Sequence, residues 1–199
     1  MYKENLKQGV SLTVIPSDKF KSNLLQVEIA CPLLSKTATH NALLAKVLSR
    51  CCEAYPTLKL FNTALEELYA AELDAYVLKT GETQRLCFRL SCIENSYAYD
   101  GTDVLRGALS LMREMIFRPL LVECVYDKVG IFDEAVVESE KRNLREEIEA
   151  LKEDKARYAA AACIKEMCKS ETYSVPVQGS IGDLNRPHIA AKPLKKKGA

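Results

Sequence analysis

In the stretch THNALLAKVLSRCCEAYP, residues 39–56, Ala42 and Lys46 stand four positions apart with Ala45 beside the lysine. On a helix that separation puts two side chains on one face, a single turn apart. The inverted zinc motif H-x-x-E-H depends on it: two imidazoles reach one ion, and the glutamate next to the second acts as base for a zinc-bound water. Here the string A-L-L-A-K fills that frame. An alanine offers no lone pair and a lysine at neutral pH is a cation, so neither metal binding nor catalysis is expected at Ala42, Ala45 or Lys46.

A second pair of residues answers to the first. Glu140 and Glu147 are seven positions apart, nearly superposed on a helix, at the margin of an apolar stripe made by Val137, Leu144, Ile148 and Leu151. Glu138, Arg142, Glu146 and Glu149 project away from that stripe. Carboxylates at the edge of a buried face reach water or pair with a basic neighbour. We expect the Lys46 ammonium to occupy the space a metal would fill and to balance Glu147, and Glu140 with it, across two packed helices. The alternative is a solvated Lys46 with no partner.

These residues need elements to place them. Leu43, Leu44, Val47, Leu48 and Cys51 form one helical stripe, which leaves Ala42, Ala45 and Lys46 on the opposite side, free to line a cleft. A second helix starts at Pro56-Thr57 with Leu58, Phe61, Leu65 and Leu68 on one face. Before this pair, Val10, Leu12 and Val14, then Leu25, Val27 and Ile29, alternate with polar residues and read as strands separated by the turn-like SDKFKSN. After it, 73–78 and 85–93 flank KTGETQ as a half-exposed hairpin. Thr102 or Asp103 caps a helix carrying Val104, Leu105, Ala108, Met112, Met115 and Ile116, which Pro119 stops. A helical tract over 130–170 divides at Glu153–Lys155, with AAAACIKEMC starting a new stripe. The order predicts an α+β domain over 1–184, a mostly antiparallel sheet backed by helices, followed at 185–199 by a basic stretch read either as a loose tail or as a truncation.

Charge and cysteine usage narrow the function classes. The net charge of +1 is more than supplied by Lys192, Lys195, Lys196 and Lys197, so the folded part is acidic and nucleic acid is not its expected partner. No apolar run is long enough to span a bilayer, and no leader-like run follows the first charges, which points to a soluble, cytoplasmic chain. Eight cysteines without a C-x-x-C pair read as buried reduced thiols rather than a metal or disulfide framework. His40 and His188 lack companions at ligand spacing and read as loop or surface histidines.

The series ALLAKVLSRCCEAYP, LEELYAAELDAYVLKTGETQRLCFRL, EKRNLREEI and DKARYAAAACIKEMCKSETYSVPVQGSIGDL resembles, in order, the N-terminal half of the insulinase/pitrilysin family of inverzincin peptidases, in its degenerate, non-catalytic form. In that family the first stretch reads A-H-F-L-E-H-M-L. Laid on N-A-L-L-A-K-V-L, the resemblance puts the two histidine ligands at Ala42 and Lys46 and the base at Ala45. The third ligand falls on Glu147 and its supporting acid on Glu140, and these two match. The resemblance implies an inactive subunit that shapes a peptide-binding chamber, without zinc of its own, and supports a zinc-bearing catalytic partner as a hetero-oligomer. It implies a peptide held as an added strand. A family subunit has two such domains, so a lone one is expected to self-associate or find a partner. Two rivals are a hydrolase with chemistry moved to Cys51 and Cys52 with His40 as base, against which the apolar placement of Cys51 weighs, and a plain protein-interaction module.

Overall fold

The computed structural model describes residues 1–123 and 130–184; the tail at 185–199, Cys124 and His188 lie outside the described residues. The architecture is α+β with antiparallel strand pairing throughout the described sheets. Its centre is a three-stranded sheet in the order β3 (Ser22–Pro32), β5 (Thr83–Ile93), β4 (Glu72–Thr80). Leu86, Phe88, Leu90 and Cys92 alternate along β5 and turn their side chains to the core, the period-two pattern of a sheet with one covered face. β4 and β5 are joined at Thr80 and Thr83 by a two-residue turn, Gly81-Glu82, in which Gly81 takes φ +55°, a conformation an L side chain resists.

Helices cover that face. α1 (Ser35–Leu48) packs on β4 and β5 and also against α4 (Glu134–Ala150) and α6 (Ile181–Leu184). It is therefore enclosed from both sides: Ala38, Ala42 and Ala45 are as buried as Leu43 and Leu48. The expected free face is closed at Ala42 and Ala45, which are buried, whereas Lys46 lines a cavity. α2 (Leu58–Glu67) begins at Thr57, whose hydroxyl accepts from the Leu60 amide, and buries Phe61 and Ala64. α3 (Val104–Phe117) is capped by Asp103 and ends just before Pro119, packing on β5.

Three expectations change. The strand at Val10–Val14 exists as β2, but its partner is β1 (Tyr2–Lys7), whose mixed sequence gives no strand signal, and every residue of this hairpin is exposed. The helical tract divides as expected, with Asp154 capping α5 (Lys155–Met167), yet α5 buries none of its residues and Cys163 on it is exposed. Cys51 lies beyond the end of α1, although it is buried all the same. A short pair, β6 (Val122–Glu123) and β7 (Gly130–Ile131), leads into α4.

The C-terminal segment is stitched to α1 and the sheet by polar contacts. Buried Gln84 donates to the carbonyls of Ala38 and Val177, and its oxygen accepts from Asn41. Lys79 donates to the carbonyls of Tyr173 and Val175 and rests over the Tyr173 ring at 4.2 Å. Gly179, at φ +78°, lies so close to Thr39 that a Cβ there would stand 1.8 Å from its hydroxyl oxygen. The same hydroxyl accepts from the Ser180 amide.

Candidate functional site

The C-terminal end of α1 and the middle of α4 run side by side, and their charged residues meet in two rungs. Lys46 Nζ lies 2.5 Å from Glu147 Oε1, and Gln178 Nε2 donates to the other oxygen of that carboxylate at 3.2 Å. Two residues beyond the end of α1, Arg50 Nε lies 2.5 Å from Glu140 Oε1, which also accepts from Asn143. The expected Lys46–Glu147 pair is present. Glu140, however, is balanced by Arg50 and not by Lys46. Lys46 near the end of α1 and Arg50 just past it each face their own acid on α4.

The two rungs differ in environment. The Glu147 side chain is 46% exposed, whereas that of Glu140 is 3% exposed. Although Arg50 Nε is close to Glu140, its N–H is not directed along a hydrogen bond, and Glu140 Oε2 is buried with no donor among the described residues. This buried carboxylate is thus only half satisfied.

Beside it opens a cavity of about 240 Å³ lined by Lys46, Ser49, Arg50, Asn62 and Glu140 and, on its far side, by Leu73–Ala75 of β4. β4 is an end strand of its sheet, so among the described residues its outer edge has no strand partner. A larger, open hollow of about 600 Å³ at the tip of the β1–β2 hairpin is lined by Asn5 and Lys7–Ser11 and gathers no comparable set of charges.

Of the positions expected to share one region, Ala42, Ala45, Lys46, Glu140 and Glu147, the structure pairs Lys46 with Glu147 and sets Lys46 and Glu140 on one cavity. Ala42 and Ala45 are packed against neighbours rather than facing the cavity. Arg50, Asn62 and Gln178 were missed. Arg50 carries no helical mark, since it lies past the end of α1 at Leu48. Asn62 and Gln178 carry no such mark, because they arrive from α2 and from the loop before α6.

The donor set does not fit a zinc ion. Two of the motif positions present buried methyl groups and the third an ammonium already held by Glu147. Among the described residues no three His, Cys, Asp or Glu side chains gather in a metal-binding group. Nor is a thiol nucleophile favoured: burial pushes the Cys51 and Cys52 thiols up, and neighbouring carboxylates, Asp133 for Cys51 and Glu114 for Cys52, add to the shift. The buried His40 Nδ1 has no hydrogen-bond partner among the described residues.

No family model matches the chain. It is 33% identical over 177 residues to the probable inactive metalloprotease YmfF of Bacillus subtilis (strain 168), which covers 89% of this chain and 40% of that protein. Among solved structures it is similar to a conserved protein from Enterococcus faecalis V583, at 28% identity and a TM-score of 0.81 over 96% of this chain and 43% of that one. The fold is shared with a peptidase M16 inactive domain from Pseudomonas fluorescens (13% identity, TM-score 0.56, covering 84% of this chain and 35% of that one) and with pitrilysin (18%, TM-score 0.53, covering 84% and 16%). The chain therefore spans about two-fifths of the length of the first two relatives.

Proposed function

Because the chain belongs to the insulinase/pitrilysin family as an inactive, degenerate peptidase-like domain, we propose that it serves as a non-catalytic element that holds extended peptide for a zinc-bearing partner. The observation that carries this reading is the pairing of an open strand edge, β4, with a neighbouring motif helix whose ligand positions are alanine, alanine and an ion-paired lysine. Strand addition uses main-chain hydrogen bonds, which need no metal and are indifferent to most side chains. The domain would shape one wall of a peptide chamber and leave cleavage to a homologous catalytic subunit. Seven described cysteines are free thiols, which suits a reducing cytoplasm. No helix among the described residues is long and apolar enough to cross a membrane.

The test combines elemental analysis of the purified chain with cleavage of a quenched peptide mixture, alone and with a zinc-bearing homologue from the same cell. Near-zero metal, no cleavage alone, and a complex with the homologue by analytical ultracentrifugation are expected. One tightly held zinc per chain, or cleavage by the chain alone, would overturn the reading.

A further inference from the structure

Within one chain the β1–β2 ribbon and the three-stranded sheet are separate. Every residue of the two ribbon strands is exposed, and β4 has no strand along its outer edge among the described residues. Residues opposed across the ribbon share a face, so Tyr2, Leu12 and Val14 lie on one side and Lys3, Ser11 and Thr13 on the other. β4 is divided in the same way. Leu73, Ala75 and Val77 pack toward the core, whereas Glu72 and Asp74 alternate with them and are exposed on the opposite face. Lys3, Glu72 and Asp74 make no ion pair among the described residues. The other end strand, β3, offers no such free acid, since its Glu28 is held by Arg85 and accepts from Gln26.

We propose that β1 of a second copy of this chain adds to the β4 edge as an antiparallel strand, with Lys3 opposite Asp74. In that register Tyr2 opposes Ala75 and Glu4 opposes Leu73, so the apolar side of the ribbon continues the core-facing side of the sheet. Tyr2 then lies over the cavity, whose walls include Leu58, Phe61 and Leu65 of α2, and Glu4 comes to the side that Lys46 and Arg50 line. On the other face Lys3 meets Asp74 directly and Glu72 on the diagonal. Main-chain hydrogen bonds along the edge complete the contact. A copy paired in this way has β4 filled, so self-association closes that edge to other peptides. This regulatory consequence rests on the strand-addition reading above; the contact itself needs only the open edge.

A charge exchange between two exposed positions tests the contact by sedimentation velocity over a concentration series. Wild type is expected to associate as concentration rises. Lys3→Glu alone sets a carboxylate against Asp74, and Asp74→Lys alone sets two ammonium groups together, so each is expected to associate about tenfold more weakly. Mixed in equal amounts, the two variants meet as Glu with Lys and as Lys with Asp, and association should return to the wild-type level. Thermal melting of each variant at the wild-type temperature confirms that the fold is kept. A wild type that stays monomeric, variants that associate as wild type does, or a mixture no better than its components would each overturn the pairing. None of these samples contains peptide or a homologous subunit, so the fate of the strand-addition reading is decided separately, by the cleavage and complex measurements above.

Discussion

Single residues decide what holds α1 to α4. Lys46 and Glu147 share an ion pair open to water, whereas Arg50 neutralises a carboxylate that is almost wholly enclosed. Lys46→Met is expected to cost about 0.5–1 kcal/mol, with a double-mutant cycle against Glu147→Gln recovering most of it as coupling. Arg50→Met, which strands a buried charge, is expected to cost about 3 kcal/mol. Urea unfolding of the set separates the two, and equal losses would mean that burial does not govern this interface. Thiols supply a pH dependence. Burial raises Cys51, Cys52, Cys87 and Cys92 above the ordinary 9.0, so on unfolding they become easier to ionise. Their contribution is whole below that value and is lost as pH rises through it, because the unfolded chain then binds fewer protons than the folded one. The urea midpoint should fall between about pH 7 and about pH 10, and should fall less in a chain carrying Cys51→Ala and Cys52→Ala.

At the scale of elements, what could be read in advance was what leaves a period in the sequence. The alternation of β5, the Thr57 and Asp103 caps and the break before α5 all follow from local spacing, and all appear. The burial of α1 on both sides could not be read, because alanine is compatible with either a cleft or a tight helix contact. Arg50's role was hidden by the helix end at Leu48, and β1 by the polar residues of YKENLK. The loop 175–180 looks irregular in sequence, yet it fastens α6 to α1 and brings Gln178 to Glu147. Its fulcrum is Gly179. Gly179→Ala should cost about 2 kcal/mol or more, through both its positive φ and collision with Thr39. Hydrogen exchange should show the loss spreading into α6 before the sheet. Protection unchanged in α6 would show that the clasp is not closed in solution.

The whole molecule has one well-covered core and a hairpin that shares none of it. Tyr2, Val10, Leu12 and Val14 line one side of the β1–β2 ribbon and are all about half exposed. An isolated two-stranded ribbon gains little stability alone, and such a patch promotes association. Sedimentation velocity across a concentration series is therefore expected to show self-association, which Leu12→Lys with Val14→Thr should suppress. The double variant should change unfolding free energy by no more than about 0.5 kcal/mol, since the ribbon lies outside the core. Association unaffected by the substitutions would move the contact to another face.

The order of strands in the central sheet also sets the order of events in folding. β4 and β5 are neighbours in the chain and close through two residues, whereas β3 reaches β5 only after α1, α2 and β4 have been traversed. The local hairpin costs little loop entropy and should form in the rate-limiting step, with β3 docking later. Gly81→Ala should then slow refolding, while Val27→Ala should chiefly speed unfolding, as stopped-flow chevrons would resolve. Until β3 arrives, β5 has a bare edge on the side that β3 will fill, so the nascent chain passes through a stage in which its central strand can be captured by another molecule.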